Sequence, residues 1–196
     1  MRNLETVRVF LRFMAVASMA GAFLCPAPAS AVAVGDVSIE ELAHGSDVVV
    51  RGMVRTLESR LVDEGRRVVT LVDVAVLEDY TGENEQMVQV LVPGGVYGDL
   101  VQTVSATPAF FEGEEVVLFL ELYPSMTKAP LRRFSLRAMA VGAFFIEGDR
   151  ALRRMCGLRP LVGERWRQTE ACEKEEGISV ERLEQHIREA IRRIER

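Results

Sequence analysis

The amino-acid sequence predicts a mainly β fold, either a sandwich or a small barrel, with a short helix before the strands and an amphipathic helix after them. Short segments rich in valine and other apolar residues follow one another along the chain. Glycine, proline and acidic turn residues separate these segments at intervals typical of an all-β domain. Helical signals occur only at the two ends of this region, which argues against a fold of alternating strands and helices.

Residues 1–31 have the pattern of a secretory signal. Arg2, Arg8 and Arg12 are followed by an apolar stretch from Phe13 to Leu24 and by small residues that end at Ala31. This order predicts a signal peptide cleaved between Ala31 and Val32. The alternatives are an uncleaved membrane anchor and a lipoprotein attached through Cys25. We expect an exported protein, periplasmic or extracellular, with no transmembrane span after cleavage.

The chain after residue 31 is mildly acidic. The whole sequence has 24 basic and 29 acidic side chains. Residues 1–31 contain three arginines and one glutamate, so 21 basic and 28 acidic side chains remain, a net charge of −7. This length suits one domain with a hydrophobic core. We predict a barrel domain over residues 32–155 and, over residues 156–196, a disulfide-stapled loop and a helix packed on the barrel.

The first element after the signal is a short helix. Ser38 and Glu41 have the spacing of a capping box, and Val37 with Leu42 has that of a hydrophobic staple. Gly45 is the residue expected to end the helix.

The first two strands, Asp47–Ser59 and Arg66–Leu77, form the clearest predicted hairpin, because Asp63, Glu64 and Gly65 between them are turn-forming residues. Gly52 predicts a bulge or bend in the first strand. Later segments are shorter: Met87–Val92, one within Val96–Thr107, Val116–Leu122, Phe134–Ala138, Gly142–Ile146 and Ala151–Leu152. Val116–Leu122 is apolar on both faces, which predicts a buried strand.

A second helix is predicted from Ser179 to the end of the chain, with Ile178 and Leu183 as its staple. Its apolar residues form one stripe at helical spacing: Val180, Leu183, Ile187, Ile191 and Ile194. The stripe has to be buried. Packing on the barrel and a seam with a partner helix or a second copy are both open.

Two cysteines, Cys156 and Cys172, remain after cleavage of the signal. In an oxidising compartment the simplest expectation is one disulfide between them, closing an otherwise irregular segment from Cys156 to Glu176. Metal binding is not predicted, because zinc takes four ligands and only His44 and His186 are available to help. No cofactor is predicted.

No assembled catalytic motif occurs. Ser125 and Lys128 have the Ser-x-x-Lys spacing in which a lysine assists a serine nucleophile. The match is short, common by chance, and bracketed by prolines between strands. We predict no catalytic residue, with a Ser/Lys-type hydrolase as the alternative from another functional class.

Charge is unevenly distributed along the chain. Residues 32–126 hold five basic and seventeen acidic side chains, whereas residues 131–167 hold nine arginines and three acids. Six of these arginines form the candidate patch for an anionic partner: Arg132, Arg133, Arg137, Arg150, Arg153 and Arg154. Such a patch can bind anionic glycans, a lipid surface or an acidic protein, and it can equally pair with the acidic part of its own chain. No nucleic-acid partner is expected.

Three segments resemble the netrin-type modules that include the tissue inhibitors of metalloproteinases: Ser46–Gly52, Val76–Gly82 and Phe111–Leu120. The resemblance implies an OB-like small antiparallel β-barrel with helices at its side. It does not extend to the inhibitors' mechanism, which uses an N-terminal cysteine to bind the protease zinc, because a chain starting at Val32 has no cysteine nearby.

These observations predict an exported, non-catalytic binding or accessory protein whose partner is another exported protein. A protease inhibitor or escort is the alternative within that class. A structural subunit that assembles through the C-terminal helix stripe is a further alternative.

Overall fold

The computed structural model of this protein describes residues 37–123, 132–155, 173–174 and 177–194. All of them belong to one compact unit, Asp36–Arg196. None of the helices in these ranges is long and apolar enough to cross a membrane. The predicted cleavage site Ala31–Val32 falls outside them, as do Cys25 and two pairs of interest, Ser125 with Lys128 and Cys156 with Cys172.

Helix α1 spans Ile39–His44 and begins as the sequence predicts. The Ser38 hydroxyl accepts a hydrogen bond from the Glu41 amide at 3.1 Å, and the Glu41 carboxylate accepts one from the Ser38 amide at 2.9 Å. These two bonds satisfy amides that a helix start leaves unpaired. Gly45 follows as the C-cap.

The described residues form twelve strands, a 3₁₀ turn and a second α-helix. They are β1 Val48–Val62, β2 Arg67–Asp79, β3 Met87–Pro93, β4 Gly95–Tyr97, β5 Leu100–Gln102, β6 Glu115–Leu122, β7 Arg133–Leu136, the 3₁₀ turn Met139–Gly142, β8 Ala143–Glu147, β9 Arg150–Leu152, β10 Arg154–Met155, β11 Glu173–Lys174, β12 Ile178–Ser179 and α2 Val180–Ile194. The fold is therefore mainly β with two helices, as predicted.

One large sheet contains eight of these strands in the order β1-β2-β3-β7-β6-β8-β9-β12. β6 pairs with β1 as well, so the pairings β1–β2, β2–β3, β3–β7, β7–β6 and β6–β1 return to their starting strand. All of them are antiparallel except β3–β7, which is parallel and only three residue pairs long.

β1 reaches both neighbours because it bends. It pairs with β2 as far as Val62 and with β6 only from Val48 to Met53. The register with β2 shifts between Arg51 and Gly52, where the sequence predicts a bulge. A Cβ atom at Gly52 would lie 2.6 Å from the Ala75 carbonyl oxygen, so glycine permits the close approach of β2.

Two hydrophobic cores lie on opposite faces of β1 and β6. Val48 and Val50 of β1 belong to the first core and Val49 to the second. In β6, Val116, Leu118 and Leu120 face the first core, while Val117 and Phe119 face the second. Period-two alternation thus buries both faces of β6, as its continuous apolar sequence predicts.

The stripe of α2 packs in the second core. Leu183, Ile187 and Ala190 are buried there against Val49, Val117 and Phe119, together with Leu42 and Ala43 of α1. Val180 and Ile191 are partly buried against the same cluster. Only Ile194 is exposed, at 47%. Packing within the molecule therefore accounts for the stripe.

One strand pair lies where the sequence predicts irregular structure. Glu173–Lys174 pairs antiparallel with Arg154–Met155. A two-residue strand has no periodicity of its own to detect. Its pairing depends on a partner about twenty positions earlier in the chain, which local propensity cannot register.

Candidate functional site: a cavity at the strand ends

A cavity of about 470 Å³ lies where β3 and β7 diverge. Their parallel pairing ends at Leu91 and Ser135, and both residues line the cavity. The turn between β1 and β2 forms another wall, and the segment after β5 forms a third. The lining residues, which we call the rim cavity, are Val62, Asp63, Arg67, Val68, Val69, Leu91, Pro93, Gln102, Val104, Thr107, Tyr123, Ser135, Leu136 and Met139.

Most of the rim cavity is apolar. Aliphatic side chains and a proline supply its walls, and several are only partly buried, including Val62, Leu91 and Met139. A volume of several hundred Å³ with apolar walls and a few polar groups is typical of ligand sites in proteins. A second cavity of about 70 Å³ adjoins it and shares Pro93, Gln102, Val104 and Thr107 as lining.

The polar groups of the rim cavity are largely paired with one another. Arg67 and Asp63 form an ion pair, so the cavity has no net charge from its described lining. The Gln102 side-chain oxygen accepts a hydrogen bond from the Val68 amide at 2.7 Å, and the Thr107 hydroxyl donates to the Val104 carbonyl. An uncharged, mainly apolar group suits these walls, because a charged one would be desolvated without a partner.

Strained backbone surrounds the rim cavity. Six described residues other than glycine have positive φ, and five of them are in the cavity lining or next to it: Asp63 at 52°, Glu64 at 57°, Ala106 at 59°, Ala138 at 52° and Met139 at 55°. Each costs on the order of 1–3 kcal/mol when the surroundings hold it. Asp63 and Glu64 form the β1–β2 hairpin turn, where positive φ is ordinary. The outliers at Ala106, Ala138 and Met139 are the ones that favour a functional role for the cavity.

A row of polar side chains crosses four strands beside the rim cavity. The Thr56 hydroxyl donates to Asp73 at 3.0 Å, the Gln89 amide donates to Asp73 at 2.7 Å, and Arg133 donates to Gln89 at 2.6 Å. Strand register aligns these residues across β1, β2, β3 and β7. The row fixes β7 against β3 where their short pairing begins.

A second polar cluster, the ion network, lies between α2 and the sheet. Arg51 bridges Glu115 and Glu184, with both contacts at 2.6 Å. Arg188 contacts Glu78 at 2.7 Å and Glu184 at 3.2 Å. Two arginines thus meet three carboxylates, and all five charges have partners. The network fixes the helix on the sheet and offers no open position for a ligand.

Glu184 and Tyr80 have shifted pKa values in this network. Burial raises the pKa of Glu184, but the Arg51 hydrogen bond, the Tyr80 hydroxyl and the charge of Arg188 outweigh it, so the pKa is lowered. The pKa of Tyr80 is raised, mainly by burial and then by the charges of Glu78 and Glu184. The Tyr80 hydroxyl lies near Glu184 without a hydrogen bond of normal geometry.

The six patch arginines are all engaged within the protein. Each contacts an acceptor of its own chain: Arg132 meets Glu83 and Glu85, Arg133 meets Gln89, Arg137 meets Glu121, Arg150 meets the Gly177 carbonyl, Arg153 meets the Val37 carbonyl, and Arg154 meets Glu114 and Glu147. Arg153 and Arg154 also cover the rings of Phe144 and Phe145, at 4.7 and 4.4 Å.

The rim cavity contains no residue that the sequence marks as a candidate. Its lining consists of ordinary strand and turn residues, and five separate parts of the chain contribute to it. The predicted turn at Asp63–Gly65 and three of the predicted strands border it. Among the described residues, no group of three or more His, Cys, Asp or Glu side chains is placed to hold a metal ion.

Comparison of the chain with known protein families gives no match, and comparison with curated proteins gives no significant match.

Proposed function

We propose that this chain is an exported, non-catalytic binding protein that receives an apolar side chain of another exported protein in the rim cavity. The observation that carries the proposal is the cavity itself, with apolar walls, no net charge and strained turns around it. The order of charged, apolar and small residues in residues 1–31 supports export.

The strand pairings support an OB-like barrel as the architecture of this binding protein. Five strands pair in a sequence that returns to β1, and the three-residue β3–β7 pairing is its weakest point. A five-stranded, partly open barrel is the arrangement of OB folds. The proposed relation to netrin-type modules rests on this arrangement and on the three short segments that resemble them.

A protein partner suits the rim cavity better than an enclosed small molecule does. The cavity opens beside the charged turn from Asp63 to Arg67, where Glu64 and Arg66 are exposed. An apolar pocket with a charged rim is the usual anatomy of a protein interface, in which one buried side chain supplies much of the affinity. The hydroxyls of Tyr123 and Ser135, which make no hydrogen bond within the described residues, are available at its wall.

The test is capture of exported proteins by the immobilised chain and by two tryptophan variants. Leu91→Trp places an indole ring in the rim cavity, where Leu91 is part of the lining. Leu77→Trp adds the same ring at a site that is 58% exposed and does not line the cavity. We expect a stoichiometric partner to be retained by the wild type and by Leu77→Trp, and to be lost from Leu91→Trp.

Three results would contradict the proposal. Equal capture by all three proteins would place the partner on another surface. Binding of an uncharged fluorescent probe such as N-phenyl-1-naphthylamine, blocked by Leu91→Trp and with no protein captured, would indicate a small-molecule site instead. Labelling by a serine-reactive probe that Ser125→Ala abolishes would indicate an enzyme.

A further inference from the structure

One edge of β1 has no strand beside it within the described residues. β1 pairs with β2 as far as Val62, but its pairing with β6 ends at Met53. From Arg55 to Val62 the strand therefore has a hydrogen-bonded partner strand on one side only, and Gly95 of β4 lies close to the Ser59 side chain. An edge of this length presents unpaired amides and carbonyls that can accept another strand.

The sequence of this edge is complementary to itself when it is reversed. Leu57, Glu58, Ser59, Arg60 and Leu61 read as apolar, acidic, hydroxyl, basic, apolar. Two such strands paired antiparallel about Ser59 would place leucine opposite leucine and Glu58 opposite Arg60, twice. Opposite-charge and apolar pairs stabilise antiparallel strands, whereas like charges destabilise them.

Neighbouring registers do not share this property. A two-fold axis perpendicular to the sheet keeps each side chain on its own face, so two facing residues must point to the same side. The alternative pairings are therefore those centred on another residue of the strand. Centring the pairing on Glu58 sets Glu58 against itself, and centring it on Arg60 sets Arg60 against itself. Charged residues on an edge strand usually prevent it from pairing with another chain. Here the charges of Glu58 and Arg60 disfavour the neighbouring registers and favour the one centred on Ser59.

The charged side chains that would pair are exposed. Glu58 and Arg60 are 61% and 50% exposed, and at present they pair with each other at 2.6 Å along the strand. Arg55–Val62 contains no proline or glycine that would interrupt a ladder. We propose that two copies of this protein associate through the β1 edge, antiparallel, with Ser59 opposite Ser59 of the second copy. The inference is independent of the rim cavity.

The experiment measures the dissociation constant of the purified full chain by sedimentation over a concentration series. Glu58→Arg sets arginine against Arg60 of the second copy, and Arg60→Glu sets glutamate against Glu58. We expect each variant alone to weaken the dimer about tenfold or more, because two favourable pairs become repulsive. An equimolar mixture of the two variants restores opposite charges at both positions, and we expect it to dimerise as the wild type does.

The mixture also shows that both variants are folded, since a misfolded chain could not restore the pairing. A wild-type protein that stays monomeric up to its solubility limit would overturn the proposal. So would single variants that dimerise as tightly as the wild type, because another surface would then be responsible. Failure of the mixture to dimerise, with a wild-type dimer present, would exclude this register.

Discussion

Glu184 of α2 forms ion pairs with two arginines, one of which belongs to the sheet. Its carboxylate contacts Arg51 of β1 and Arg188 of the same helix, and its side chain is 14% exposed. Hydrogen bonds to charged groups in partly buried sites contribute about 1.5–3 kcal/mol each. The residue therefore stabilises the contact between helix and sheet well beyond what an exposed ion pair would.

We expect Glu184→Gln to lower the free energy of unfolding by about 1–3 kcal/mol at neutral pH. The pKa of Glu184 is below its ordinary value of 4.5 in the folded protein. Its charge therefore stabilises the fold above that pH, and the stabilisation is lost as pH falls through the folded-state pKa. Denaturant titrations of both proteins from pH 7 downward should show the difference narrowing below pH 4.5. The exposed Glu181→Gln on the first turn of α2 is the control, and a constant difference across this range would contradict the role of the charge.

The helix α2 is held mainly by its apolar stripe. Ile187 is fully buried in the second core, whereas Ile194 on the same helix is 47% exposed. The same substitution at the two positions changes helix propensity equally, because both are isoleucine. A difference in stability between the two variants therefore measures the contribution of packing.

We expect Ile187→Ala to destabilise the protein by about 2–5 kcal/mol, because it removes buried methyl groups and leaves a cavity. Ile194→Ala should change stability by less than about 1 kcal/mol. Thermal or denaturant unfolding at two protein concentrations measures both. Similar losses at both positions, dependent on concentration, would instead indicate that the stripe also serves as an intermolecular seam.

Cys156 and Cys172 lie outside the described residues, so the disulfide between them stays a prediction. Arg154 pairs with Lys174 and Met155 with Glu173 in antiparallel register.

We expect Cys156 and Cys172 of the protein, purified from an oxidising compartment, to resist alkylation in denaturant until a reductant is added, with mass spectrometry as the readout. Reduction should lower stability by about 3 kcal/mol, by the chain-entropy model for a loop of this size. A Cys156→Ser, Cys172→Ser double variant is the control and should be insensitive to reductant. Rapid alkylation of both thiols without reductant would contradict the prediction.

At the scale of the whole molecule, the basic and acidic parts of the chain meet each other. Arg132 contacts Glu83 and Glu85, and Arg154 contacts Glu114 and Glu147. These contacts join the arginine-rich stretch after residue 131 to the acidic stretch before residue 126. Arginines paired in this way attract an anionic partner less strongly than unpaired arginines do.

We therefore expect the protein to pass through immobilised heparin at physiological ionic strength, where charges more than about 8 Å apart are screened. The double variant Glu114→Gln, Glu147→Gln removes both carboxylates that Arg154 contacts, and it should be retained more strongly at low salt. Tight retention of the wild type at physiological salt would favour an anionic glycan or lipid surface as the partner.

Local signals predict most of the elements. The capping box at Ser38 and Glu41, the hairpin around Asp63–Gly65 and the bulge at Gly52 are confirmed, because each depends on residues close together in the chain. The two-sided burial of β6 is confirmed for the same reason. The ends of β1 and β2 differ by a few residues from the prediction, since cross-strand pairing extends both strands.

The sequence by itself determined the mainly β class, the two helices, the apolar stripe of α2 and the unequal distribution of charge. These follow from spacing and composition, which local physics reads directly. Tertiary structure alone decided the return of the strand pairings to β1, the pairing of the arginines with distant carboxylates and the rim cavity. Each of these features joins residues that are far apart in the chain, so no local pattern encodes it. The cavity in particular exists only as the space that several separate segments leave between them.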